Sequence, residues 1–245
     1  MAFVFYHYST FFLPHSMRRH NGISLPTVLS KLGRLYDPPQ SFLDFRTPLD
    51  LLVAVILSAQ CTDAMVNRIT KETLYSKYRT AQDYLAVPRA ELEQDIRRSG
   101  HFRSKAKYIQ ETCAMLLKKH GGEVPRTMEE LVELRGVGRK TASVVLSAAF
   151  GINAGIAVDT HVQRLSQRLG LSTHNDPIKI ELDLMEAAPR KRWRDVTVLL
   201  ISHGRAVCTA RGRKCGACVF KDNCPSSLTR GKPDLAKPKK ARKSV

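Results

Sequence analysis

Residues 134–142 read LRGVGRKTA: two glycines one residue apart, followed at once by a basic pair. Segments of helical period flank the run. TMEELVEL, residues 127–134, has Thr127 and Glu130 in capping-box spacing, and RKTASVVLSAAFG, residues 139–151, repeats apolar residues at three and four. Gly136 and Gly138 can take backbone angles closed to other residues and let a ligand approach the main chain. The free N–H groups opening the second helix then face outward at the positive end of its dipole, an arrangement suited to phosphate. A Walker loop needs glycine where Arg139 and Leu134 stand. A dinucleotide fingerprint needs glycine at Thr141 and a strand before the turn. Both fail, which leaves two readings. One is a helix-hairpin-helix whose residues Gly136, Val137, Gly138 and Arg139 grip a nucleic-acid backbone without reading its sequence. The other is an ordinary glycine turn between packed helices.

Lys140 stands in the first turn of the helix after the hairpin. An uncharged lysine amine attacks electrophilic carbon and forms a Schiff base, whereas an ammonium contacts phosphate; the residue alone leaves both roles open. Asp159, in AVDTHVQRL (residues 157–165), immediately precedes another helical run. It reads as an N-cap, and the same position can aim a carboxylate across a cleft toward Lys140. The two roles are compatible.

The whole chain favours a polyanionic partner. Lys and Arg number 40 against 22 Asp and Glu, giving a formal charge of +18 in 245 residues. That balance attracts nucleic acid ahead of an anionic membrane surface. No apolar run reaches the ~20 residues of a membrane span, and no membrane partner is expected. A hydrophobic content of 43% suffices for a core without disulfides. The opening stretch MAFVFYHYSTFFLPHSM lacks the basic start and small-residue cleavage site of a secretory signal, and Met17 is expected to be the true start. The tail after Cys224 is basic and poor in apolar residues; residues 226–245 are expected to be disordered, adding weak phosphate contacts or serving as a nuclear address.

Between these ends nearly every segment has a period of three to four, so the predicted fold class is all-α. TPLDLLVAVILSAQ is a mostly apolar helix entered through Thr47 and Pro48. TDAMVNRITKETLYSKY follows, capped by Thr62 or Asp63. A helix from Pro88 to Ser99 ends at Gly100 as a left-handed residue. The next runs from Ser104 to Gly121 with Cys113 on its apolar stripe, a core position. DTHVQRLSQRLG turns Val162, Leu165 and Leu169 inward and its arginines outward, and Asp176 caps the helix opened by Pro177.

Four of the six cysteines fall in CTARGRKCGACVFKDNC, residues 208–224. In a reducing compartment such clustering means metal sooner than disulfide. Zinc modules usually present two close pairs, whereas this segment has one C-x2-C flanked by loops of six and five residues. The spacing leaves zinc and an iron–sulfur cluster equally open.

Taken together, LSAQCTD (57–63), LRGVGRKTASVV followed by AVDTHVQRL, and C-x6-C-x2-C-x5-C resemble the endonuclease III family of DNA glycosylases, over about residues 25–225. The resemblance implies two helical lobes flanking a DNA-binding cleft: a six-helix lobe over 41–152, and an iron–sulfur cluster lobe formed by 24–40 plus 153–225, after an N-terminal extension 1–23. It implies removal of oxidised pyrimidines from double-stranded DNA and strand cleavage at the abasic site, with Lys140 as nucleophile and Asp159 as catalytic carboxylate. It also implies that Cys208, Cys215, Cys218 and Cys224 hold a [4Fe–4S] cluster bracing a loop whose Arg211, Arg213 and Lys214 meet phosphate. Gln60 fills the gap left by a flipped base, and Ser58 and Asp63 belong to the same motif. At GHFRSK the chain departs from the family, because His101 stands where relatives commonly carry an aliphatic wedge, and either His101 or Phe102 intercalates. The adenine-mismatch relatives share hairpin, aspartate and cluster but lack the nucleophilic lysine; a non-catalytic DNA-binding scaffold is the alternative outside enzymes. A monomer is expected, nucleoid-associated in a bacterial cytoplasm or nuclear in a eukaryote.

Overall fold

The structure, a computed structural model, describes residues 22–37 and 39–229. Every regular element among them is helical, as the apolar periods predict. In chain order these are α1 (Leu25–Gly33), α2 (Pro48–Leu57), α3 (Asp63–Ile69), α4 (Tyr75–Lys77), α5 (Ala81–Ala86), α6 (Arg89–Asp95), α7 (Phe102–His120), α8 (Met128–Glu133), α9 (Arg139–Phe150), α10 (Thr160–Leu169), α11 (Pro177–Ala187) and α12 (Trp193–Ala206). The expectations for Met17 and for the tail from residue 230 onward fall outside the described residues.

The helix starts follow from short polar side chains. The Thr47 hydroxyl accepts from the Asp50 N–H while the Asp50 carboxylate accepts from the Thr47 N–H, and Pro48 supplies the first helical residue. Thr62, Thr127 and Asp176 cap α3, α8 and α11 in the same manner, each satisfying a backbone donor that the helix leaves free.

Three local predictions are revised. The segment predicted from Thr62 to Tyr78 is helical from Asp63 to Lys77, with both end residues extended, and widens into a π turn at Thr70–Leu74. The helix from Pro88 stops at Asp95 and continues as a 3-10 turn over Arg97–Ser99, and Gly100, at φ 66° and ψ 156°, has positive φ but an extended ψ. Finally, α7 begins at Phe102 rather than Ser104, because His101 itself adopts the left-handed conformation (φ 48°, ψ 30°) and turns the chain directly into the helix.

Two hydrophobic cores result. In the first, α2 is buried from Leu49 to Leu57 and packs against both α7 and α9; Ile109, Leu116 and Leu146 are fully buried around it. Each such aliphatic side chain contributes about 1.5–3 kcal/mol on leaving water. Cys113 lies in this core, where burial pushes its thiol pKa up to about 12. The second core gathers Val28 and Leu32 of α1 with α10, α11 and α12, and closes over Phe220 from the cysteine segment. Thus the first and last described parts of the chain pack together. Gln40 Nε2 donating to Ala148 O at 2.6 Å is one tie between the two cores.

Candidate active site

Between α8 and α9 the hairpin is held from behind by α7. Thr112 Oγ1 donates to Arg135 O at 2.8 Å, and Val137 N–H donates to Leu134 O at 3.2 Å. Gly136 has φ 76°, and a Cβ there would stand 3.2 Å from the Tyr108 ring, so both conformation and space require glycine. At Gly138 no atom of the described residues beyond its chain neighbours lies within 4 Å of a built Cβ; that side is open to whatever approaches from outside. Val137 turns its side chain into the core at 5% exposure, leaving only its backbone for a ligand.

Arg139 differs from the sequence expectation. Its guanidinium makes a two-pronged bond to Glu181 of α11, with Nε–Oε2 2.7 Å and Nη2–Oε1 3.1 Å. Glu181 is buried and also accepts from Ile156 N–H. The side chain expected at phosphate is therefore engaged in joining α9 to α11.

Lys140, one residue on, is exposed, and among the described residues its Nζ has no hydrogen bond or ion pair. It borders an open cleft of ≈ 450 Å³ together with Ser58, Cys61, Asp63, Asp159, His161 and Arg205. Asp159 caps α10 as the sequence suggests: Oδ1 accepts from the N–H groups of His161 and Val162, both at 2.8 Å. Oδ2 takes no donor among the described residues. One oxygen fixes the carboxylate while the other remains available. Burial lowers the pKa of His161, keeping its imidazole neutral beside the cleft.

Arg205 and His161 are cleft residues that sequence reasoning missed. Arg205 of α12 pairs with Asp63 at the start of α3 and stacks over Phe42 at 4.4 Å, closing the cleft floor between the two cores. ISHGRAVC offered one signal, a cation just after a buried helical stretch. Its partner lies too far along the chain for periodicity to find.

The remaining motif residues sit at the rim. Ser58 caps α2 and donates its hydroxyl back to Val55 O at 2.8 Å. Gln60 (φ 53°) and His101 (φ 48°) are the non-glycine residues of positive φ among the described residues, and both side chains are exposed. Phe102 instead packs half-buried on the first core, with the Arg103 guanidinium 5.3 Å over its ring.

Cys208, Cys215, Cys218 and Cys224 line one cavity, joined there by Arg168 and His203. No group of three or more Cys, His, Asp or Glu side chains among the described residues is arranged to hold a metal ion. The sulfurs do, however, attract donors: Arg168 Nη1 lies 3.4 Å from Cys208 Sγ and Phe220 N–H 3.4 Å from Cys218 Sγ. His203 lies between Tyr36 Oη, 2.9 Å from Nδ1, and Cys218 Sγ, 3.3 Å from Nε2. Burial, reinforced by neighbouring cysteines, raises the thiol pKa values of Cys218 and Cys224.

The arginines of α10 point the other way from prediction. Arg164 donates to Cys208 O and Gly204 O, and Arg168 donates to Thr209 O at 2.8 Å and Ala210 O at 3.2 Å. They face inward because the cysteine loop presents a row of carbonyls that lack backbone partners of their own. So held, the loop keeps Arg211 and Lys214 exposed and Arg213 half-exposed.

An all-helical body with two cores, a glycine hairpin opening onto a cleft, and a lysine and a carboxylate on that cleft define the helix-hairpin-helix class. Residues 53–190 match the model of the HhH-GPD superfamily base excision DNA repair proteins. Endonuclease III of Synechocystis sp. is 50% identical over 200 residues, 82% of this chain and 91% of that protein. Its counterpart in Bacillus subtilis is 48% identical over 210 residues, 85% of this chain and 95% of that protein. A solved trapped endonuclease III–DNA covalent intermediate, an estranged-adenine complex, superposes with a TM-score of 0.78 at 47% identity, covering 82% of this chain and 94% of that one. The chain belongs to the endonuclease III family within the HhH-GPD superfamily, and it is a base-excision repair DNA glycosylase. No described helix is long and apolar enough to cross a membrane.

Proposed function

We propose that the protein excises oxidised pyrimidines from double-stranded DNA and then cleaves the strand at the abasic site, with Lys140 as nucleophile and Asp159 as its carboxylate partner. The observation that carries this reading is the shared cleft, in which an unpaired Lys140 amine and an uncommitted Asp159 oxygen face the same ≈ 450 Å³ space. A damaged nucleotide must first leave the stack, at a cost of a few kcal/mol that the lesion itself reduces. The Lys140 Nζ lone pair then forms a bond to the sugar C1′ as the C1′–N bond breaks and the base leaves with its electron pair and a proton. Asp159 Oδ2 stabilises the positive charge developing on the sugar, accepts a proton from the secondary ammonium formed at Nζ and passes it to the departing base. The sugar ring then opens, the C1′–O4′ bond breaking as Nζ forms the C=N bond and O4′ takes a proton, and the resulting Schiff base acidifies the C2′ proton. Its removal expels the 3′ phosphate by β-elimination, and water releases the sugar from Lys140.

Phosphate contact falls to the backbone N–H groups at Gly138 and the start of α9, with Arg211, Arg213 and Lys214 beyond. We assign residues 41–152 to one lobe and 24–40 plus 153–225 to a second, a reading supported by the two separate cores. Gln60 and His101 are the residues that enter the duplex; Phe102 supports the turn from below. The four cysteines fit a [4Fe–4S] cluster in the chemistry of their donors: all four thiols line one cavity, and N–H donors reach the sulfurs of Cys208 and Cys218, the kind of contact that tunes such clusters. When bound, the group would act structurally, holding the basic loop rigid. Purified protein should carry about four irons per chain with broad absorption near about 400 nm; zinc in their place would overturn this assignment.

The functional test is turnover on duplexes carrying thymine glycol or an abasic site. Product with a cleaved strand is expected from both. Tight binding with intact DNA from both would leave only a scaffold.

A further inference from the structure

Lys105 is 3% exposed, an unusual location for an ammonium, whose transfer from water is costly unless hydrogen bonds replace the lost hydration. Its Nζ donates to Leu57 O at 2.8 Å and to Ser99 O at 2.7 Å. These are the last carbonyls of α2 and of the 3-10 turn before α7. Among the described residues no backbone N–H takes either of them; the Cys61 N–H that would continue α2 bonds Ser58 O instead. A cation at a helix C-terminus is also favoured by the dipole. Leu57 lies three residues before Gln60 and Ser99 two before His101, so one buried ammonium holds the roots of both left-handed turns. Among the described residues no hydrogen bond or ion pair joins the two turns directly.

We propose that Lys105 is a positioning residue for the reaction, fastening the Gln60 and His101 turns together so that both side chains enter the duplex as a single unit. The proposal rests on the reading of Gln60 and His101 given above. A purely structural role would be served as well by an apolar side chain on this buried face of α7. What an apolar residue cannot do is bridge two carbonyls from separate segments, 48 and 6 residues away in sequence. Without the bridge, each turn is free to relax from its positive φ.

The experiment uses a duplex with 2-aminopurine opposite a tetrahydrofuran abasic analogue, which the enzyme binds and cannot cleave. At saturating protein, verified by anisotropy, wild type should raise the fluorescence as the opposite base is unstacked. Lys105→Met should bind the duplex yet lose at least about half of that rise, and its cleavage of a true abasic duplex should fall about 10- to 100-fold in kcat, the scale of an ångström's misplacement. Lys105→Arg, which keeps a cation with several donors, should recover part of both. If Lys105→Met fails to fold, Lys105→Gln is read in the same way, its shorter amide being unable to span both carbonyls. An undiminished rise in the folded variant overturns the proposal. No rise with wild type, or a rise that survives Gln60→Ala, overturns the reading of the two turns and the proposal with it, whereas a rise lost in Gln60→Ala but undiminished in Lys105→Met overturns the proposal alone.

Discussion

In the proposed reaction Asp159 carries two tasks on two oxygens. Oδ1 closes the first turn of α10 with two 2.8 Å bonds, while Oδ2 takes no donor among the described residues and the residue borders the cleft. An asparagine caps a helix about as well as an aspartate but cannot offset positive charge. Asp159→Asn should therefore melt close to wild type while losing about 10²–10⁴-fold in single-turnover base release. Equal loss of stability and rate would reduce the residue to a cap. The cap at Asp159 was visible in the sequence because a cap is a local pattern, whereas its place on a cleft beside Lys140 depends on how distant segments meet. Lys140 was visible for a similar reason: its position follows from the glycines beside it. The partner of Arg139 was not, since Glu181 lies 42 residues away and no period links the two.

At the scale of elements, α9 is pinned at three points: Val137 beneath the hairpin, Thr112 behind it, and the Arg139–Glu181 pair toward α11. Glu181 is buried and its arginine partly exposed, so removing the arginine strands a carboxylate in a poorly hydrated place. Arg139→Ala should cost about 1–3 kcal/mol in urea unfolding; a loss below about 0.5 kcal/mol would mean that the pair contributes no more than an ordinary surface contact. The helices themselves were legible because caps and apolar periods are local. The misjudged boundaries, at Ser104 and Gly100, lie where His101 adopts a conformation rare for a side-chain-bearing residue. That exception coincides with an exposed residue of the proposed interface. Arg164 and Arg168 were misjudged for the opposite reason: polar side chains on a surface-like stripe were taken as solvated, and the carbonyls they serve belong to a loop with no periodic signature.

Across the whole molecule, the charge of +18 suits a polyanion, and the buried acids set the alkaline limit of the fold. Burial holds the Cys113 thiol pKa at about 12 and raises those of the Tyr78 and Tyr84 phenols. The unfolded chain releases such protons from about pH 8.5–10, so above that range the folded state binds more protons and stability falls as pH rises. The urea midpoint should drop between pH 8 and 10.5, and a flat profile would contradict the burial of these groups. The all-helical class and the order of motifs were readable along the chain. The meeting of α1 with α12, which brings Tyr36 to His203 and the cysteine segment, depends on tertiary closure. The proposed reaction turns on one bond, between Lys140 Nζ and a sugar carbon. Borohydride reduction during reaction with an abasic duplex, followed by peptide mass mapping, tests it directly. A covalent DNA adduct is expected on the peptide containing Lys140 and none with Lys140→Gln; an adduct that persists in that variant, or maps to another lysine, would exclude Lys140 as the nucleophile.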